Sequence, residues 1–141
     1  MSKSQEKTME LAVLEHGILN PAINSLLSRI RHTNTLVIAD RGFPYWPLIE
    51  TVDISLVDGV PRVLEVLAAI RAQWRCGAAF MAEEFKSAND SATQQQFLTG
   101  LQGVSLTYEP HVIFKKRVPA AIGLIRTGDT TPYANMILES A

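Results

Sequence analysis

Apolar residues along this chain fall into runs of two kinds, one with the spacing of a helix face and one with the spacing of a strand. Ile23, Leu26, Leu27 and Ile30 recur at helical intervals behind Asn20-Pro21, where Asn suits a cap and Pro suits a first turn. Thr35 to Ala39 is then a short apolar run without polar alternation, the pattern of a strand buried on both faces. Val52, Ile54 and Leu56 alternate with Asp53 and Ser55 and predict a second strand, turned by Asp58-Gly59. A helix beginning at Pro61 is predicted by Val63, Val66, Leu67, Ile70 and Trp74.

The pattern continues with a third strand over Ala78 to Ala82. A helix follows, capped by Asn89 or Asp90, carrying Phe97, Leu98 and Leu101 and closed by Gly103. Val104, Leu106 and Tyr108 alternate as a fourth strand, Pro110 to Val118 suits a short helix, and Ala120 to Ile125 and Met136 to Leu138 are the last strands. Alternating strands and helices predict an α/β fold: a single three-layer domain, its mainly parallel sheet of about six strands covered by helices on both faces. Residues 1–16 are expected to be a partly flexible leader and 17–141 the domain, and no internal repeat or low-complexity segment interrupts them.

Composition narrows the function classes. Apolar residues make up 47% and charged residues 19% of the sequence, and the formal net charge is -1, so neither disorder nor a general affinity for nucleic acid is indicated. Cys76 is the only cysteine, which leaves no internal disulfide and no cysteine-rich metal site. With no apolar run of membrane-spanning length, the expectation is a soluble, cytoplasmic protein. There is no glycine-rich dinucleotide fingerprint and no phosphate loop, and His16, His32 and His111 lie far apart. The residues therefore give little support to nucleotide chemistry or a metal site.

Open α/β sheets bind ligands beyond the carboxyl ends of their strands. Asp40 stands at such an end, His111 follows the fourth strand, and Lys115 lies one helical turn beyond His111. Each also has a plain structural reading: Asp40 capping a turn, His111 capping a helix, Lys115 solvated. His32, after a helix, is either a cap favoured by the helix dipole or an acid/base group for work near neutral pH. Glu83-Glu84 offers two carboxylates that point in different directions, and Tyr45-Trp46 offers aromatics that either stack on a sugar or pack under a loop.

Five stretches taken together resemble the D-ribose pyranase and L-fucose mutarotase family. They are Gly17-Ile18-Leu19-Asn20, His32-Thr33-Asn34-Thr35-Leu36-Val37 through Asp40, Asp58-Gly59-Val60-Pro61, Ala82-Glu83-Glu84, and Ile125-Arg126-Thr127-Gly128 running into Pro132-Tyr133-Ala134-Asn135. The resemblance implies cofactor-independent interconversion of ring forms of a free monosaccharide. It implies His32 as the catalytic proton donor, and Asp40, His111, Tyr133, Ala134 and Asn135, with Lys115, as sugar-binding positions. It also implies ring-shaped homo-oligomers with ligand clefts between adjacent subunits.

Asp40-Arg41-Gly42-Phe43-Pro44 and Pro132-Tyr133-Ala134-Asn135 follow the ribose pattern more closely than the fucose one, which makes D-ribose the expected substrate. A fucose-type mutarotase, or a non-catalytic sugar-binding ring associated with sugar uptake, is the alternative. Arg31, Asn34, Arg41 and Phe43 depart from the family pattern.

Spacing adds a constraint. The eight steps from His32 to Asp40 would span roughly 26 Å if fully extended, too far for one sugar to touch both. Either the chain folds back before Thr35, or the two residues serve different clefts and a neighbouring subunit supplies the missing one. Tyr133 and Asn135 share the edge of Asp40 if the last strand pairs with the preceding one as a hairpin, and sit at the opposite edge if it runs parallel to the first.

Overall fold

The computed structural model describes residues 16–141, so the leader expected over residues 1–16 lies, except for His16, outside the described residues. Asn20 caps α1 (Pro21–Ser28) by accepting the Ile23 N–H at 3.0 Å, and Asp90 caps α4 (Ser91–Gly100) by accepting that of Thr93 at 2.8 Å. Between them lie β1 (Thr35–Ala39), β2 (Glu50–Asp53), α2 (Val63–Arg71), β3 (Cys76–Ala82) and α3 (Glu84–Ala88). After α4 come β4 (Ser105–Glu109), α5 (His111–Arg117), a 3-10 turn over Val118–Ala120, β5 (Gly123–Arg126) and β6 (Met136–Ser140).

The six strands form one sheet in the order β2-β5-β1-β6-β3-β4. Five run parallel, while β6 lies antiparallel between β1 and β3. The last strand is therefore no hairpin with β5, because β1 separates the two. Its direction still carries its first residues to the carboxyl end of β1, where Ile38 pairs with Met136.

Side chains alternate across a strand, and β1 shows the two layers that result. Leu36 and Ile38 enter a large core with α1, α2, α3 and α4; Val37 and Ala39 enter a smaller one with Phe114 and Val118 of the α5 region and with Phe43. Helices thus cover both faces, thickly on one and thinly on the other. Close approach on the thick side requires glycine at the start of β5: a Cβ on Gly123 would lie 2.5 Å from Leu26 of α1.

Two boundaries and one helix depart most from the sequence pattern. The alternation continues past β2 to Leu56, yet the strand stops at Asp53, whose carboxylate folds back onto the N–H and hydroxyl of Ser55 and leaves Leu56 in solvent. Residues 118–120 form the 3-10 turn, so β5 begins at Gly123. Helix α3 was not expected; its buried Phe85 packs on Phe97 of α4 with ring centroids 4.7 Å apart.

Candidate active site at the carboxyl end of β1

Asp40 is the first residue beyond β1 and is bracketed by Asn135, the residue before β6. The Asp40 N–H donates to Asn135 Oδ1 at 2.7 Å. The antiparallel register of β6 makes this possible. Asp40 Oδ1 accepts the Gly42 N–H at 3.0 Å, so the turn-capping role is real. From the end of β5, Arg126 donates to the carbonyls of Asp40, Arg41 and Pro44 at 3.2, 3.3 and 3.2 Å, clamping the loop from below.

His111 opens α5. Its backbone N–H donates to both oxygens of Glu84, at 3.0 and 3.1 Å, so Glu84 serves as the cap and the His111 ring remains free for other work. That ring meets Tyr133 edge-on at 5.1 Å and Phe43 at 6.2 Å, and stacks on Phe114 at 5.9 Å. Its Nε2 is buried without a hydrogen-bond partner among the described residues, a state that costs about 1–3 kcal/mol unless a ligand meets it. Tyr133 adopts φ 56°, a left-handed conformation uncommon for a bulky residue and retained where the surroundings impose it.

Together these residues enclose a cleft of 290 Å³, close to the roughly 300 Å³ lower bound of ordinary small-molecule sites. The walls are the loop from Asp40 to Pro44, His111, the turn from Asp129 to Tyr133, and Asn135. Burial raises the Asp40 carboxyl above its ordinary value; the N–H groups of Gly42 and Phe43 and the Asn135 amide oppose the rise, and the Asp129 charge adds to it. Burial also lowers the basicity of His111, helped by the Lys115 ammonium and opposed by Glu84 and Asp40. A neutral imidazole offers one donor and one acceptor, the pair that a sugar hydroxyl needs.

Of the residues singled out from the sequence, Asp40, His111, Tyr133 and Asn135 line this one cleft. Lys115 sits a turn behind His111, partly buried and outside the lining, and acts on the site through its charge. Ala134 is fully buried in the larger core beside the cleft. Tyr45 is 72% exposed, and Trp46 packs against the smaller core.

His32 lies elsewhere. A tight turn holds residues 31–34, with the Asn34 N–H on the Arg31 carbonyl at 3.0 Å and Thr33 at φ 65°. Thr33 N–H donates to Ser140 O at 3.2 Å, and Ser140 N–H to Asn34 O at 3.0 Å. These bonds fix the turn at the far end of β6 from Asn135. The chain does bend before Thr35, but all of β1, a rise of roughly 16 Å over five residues, still separates exposed His32 from the cleft.

The model of the RbsD / FucU transport protein family matches residues 14–141. This chain belongs to that family. A D-ribose pyranase of Chromobacterium violaceum is 41% identical over 126 residues, covering 89% of this chain and 96% of the relative. The structure of Bacillus subtilis RbsD complexed with D-ribose aligns with a TM-score of 0.85 at 31% identity, covering 92% of this chain and 98% of that one. The fucose mutarotase of Streptococcus pneumoniae, solved with L-fucose, aligns with a TM-score of 0.76 at 20% identity over 91% of this chain and 98% of its own, and shares the fold.

Within this RbsD / FucU chain, the wall residues that pattern reading missed are Asp129, Thr130 and Thr131, and the roles it did not assign are the Glu84 cap and the Arg126 clamp. A usable signal existed for Asp129: Thr127-Gly128-Asp129-Thr130-Thr131 is a cluster of side chains that hydrogen-bond nearby backbone. Gly128 is required there, because an added Cβ would collide with the carbonyls of Val57 and Val60. Among the described residues no group of three His, Cys, Asp or Glu side chains could hold a metal ion, and no helix is long and apolar enough to cross a membrane.

Proposed function

We propose that this protein is a cofactor-independent isomerase that interconverts the ring forms of free D-ribose in the cytoplasm. The observation that carries the reading is the convergence of Asp40, His111, Tyr133 and Asn135, from three separate parts of the chain, on one sugar-sized cleft. Relatives named D-ribose pyranase support the substrate choice. The cleft's chemistry agrees with it: a carboxylate and an amide to receive and give hydroxyl hydrogen bonds, a neutral imidazole, and the Tyr133 ring beside it.

Ring opening breaks the bond between the anomeric carbon and the ring oxygen. One group removes the proton of the anomeric hydroxyl as another protonates the ring oxygen, and closure by a different hydroxyl reverses both transfers. Asp40, His111, Tyr133 and Asn135 bind and orient the sugar, with burial and then the Lys115 charge keeping His111 neutral and Ala134 fixing the backbone between Tyr133 and Asn135. His32 supplies the ring-oxygen proton, and it comes from a neighbouring subunit of a ring-shaped homo-oligomer. The placement of His32 and Asp40 at opposite ends of β1 supports that arrangement.

NMR saturation transfer between the pyranose and furanose signals of equilibrated D-ribose tests this reading. Faster exchange with the wild-type protein, lost in His32→Ala, is expected. Binding of ribose with unchanged exchange would make the protein a non-catalytic sugar binder, and exchange of L-fucose in preference to ribose would make it a mutarotase of the other branch.

A further inference from the structure

Asp129, Thr130 and Thr131 form a wall with space on both sides. One side lines the 290 Å³ cleft, and the other lines a second cavity of 200 Å³ against α2 and α4. Close packing fixes most of a protein interior, but a wall between two cavities lacks it and must be positioned by hydrogen bonds. Those bonds converge on a single residue.

Asp129 is 4% exposed. One carboxylate oxygen accepts the N–H of Val63, the first residue of α2, at 2.9 Å; the other accepts the Thr131 N–H at 2.8 Å. Its own N–H donates to Thr127 Oγ1 at 3.1 Å, while its carbonyl accepts the Arg41 N–H at 3.0 Å. Thr127 Oγ1 in turn donates to the carbonyl of Ala39, the last residue of β1, at 2.8 Å. One residue therefore ties helix α2, the wall and the loop of Asp40 into one frame.

We infer that Asp129 is the positioning residue of this cleft, holding the wall against α2 and the Asp40 loop so that Asp40, Tyr133 and Asn135 meet the sugar in one fixed arrangement. Both of its carboxylate oxygens are engaged by backbone N–H groups, so it acts on the ligand through those three residues. The inference rests on the reading of this cleft as a sugar site, and its test is built to fail separately from that reading.

Asp129→Asn keeps the side chain's size, removes its charge and turns one acceptor into an NH₂ facing a backbone N–H. The titratable and charged groups around Asp40 are His111 from α5, Arg126 from β5, Arg41 in its own loop and Asp129 itself. Only the last changes.

On the sugar-free protein, a carboxyl ¹³C NMR titration of Asp40 shifts to lower pH, because a like charge is gone, and the Arg41 amide exchanges with solvent about tenfold faster or more as the frame loosens. With D-ribose, KM rises about tenfold with kcat nearly unchanged, the signature of lost binding alignment common to ground and transition states. Thr127→Val, which removes the other strut, gives smaller changes in Arg41 exchange and KM in the same direction and decides the matter if Asp129→Asn does not fold. An unchanged Asp40 titration and unchanged Arg41 exchange in a folded variant overturn the inference. Absence of ribose exchange in the wild type would instead overturn the proposed function, while the sugar-free readings still judge Asp129.

Discussion

At the carboxyl end of β1, Asp40 is held by an antiparallel neighbour, clamped by Arg126 and walled into a cleft with His111 and Tyr133. At the amino end of the same strand, His32 lies exposed on a tight turn, tied to the sheet through its neighbours Arg31, Thr33 and Asn34, all of which hydrogen-bond Ser140. One end is a walled cleft built within a single chain; the other presents an exposed histidine on a turn. The contrast teaches that binding and proton transfer need different amounts of burial. Under the proposed function, sugar recognition requires buried, fixed partners, whereas a histidine entering another subunit's cleft must stand out from its own surface.

The most severe way to break this contrast is His32→Ala. Ribose ring exchange should fall by on the order of 10²–10⁴, the usual contribution of a general acid or base, while the melting temperature and ribose affinity stay near wild type. Loss of folding instead would show His32 to be structural, contrary to its exposed position.

Asn135→Ala attacks the other end. It leaves the Asp40 N–H without its partner and should cost about 1–3 kcal/mol of stability, read by urea denaturation, together with weaker ribose binding by calorimetry. Gly128→Ala strikes below the wall, where the new Cβ meets the Val57 and Val60 carbonyls, and overpacking of this kind costs about 1–3 kcal/mol in the same assay.

A pH series sharpens the comparison more gently. His111 has its folded pKa below the ordinary 6.5, so the unfolded chain binds the proton more readily. Its contribution to stability is full above the unfolded value and is lost as pH falls through the folded one. Comparing urea midpoints of the wild type and His111→Gln from pH 8 down to 5 should therefore show the wild type losing relative stability only on the acid side. The smallest effect belongs to Arg41→Ala. Its ion pair with Asp58 is 2.7 Å long but its side chains are 58% and 67% exposed, and such pairs are worth about 0–1 kcal/mol.

Much of the finished end was legible from residue order alone. The unbroken apolar run Leu36 to Ala39 marked a strand buried on both faces, and Asp40 at its exit marked the ligand edge. What residue order did not decide was the direction of β6, because strand pairing depends on long-range register rather than on local pattern. The Asn135 bracket was hidden with it. Helix α3 was missed for a different reason: five residues are too few to show a period, and Glu83-Glu84 gave no sign that Glu84 would cap α5 across 27 positions. Leu56 misled by alternation, since its place in the pattern outlived the strand.

The central claim is that His32 of one subunit completes the Asp40 cleft of another, and mixing two inactive chains tests it most directly. His32→Ala and Asp40→Asn proteins are unfolded and refolded together in equal amounts, and ribose exchange is measured by NMR. If the His32–Asp40 pair spans a head-to-tail contact between subunits, about one quarter of the clefts in the mixed ring combine an intact His32 with an intact Asp40, and about a quarter of wild-type exchange returns. If both residues serve a cleft within one chain, every cleft in the mixture lacks one of them, and the activity stays at the level of the separate variants.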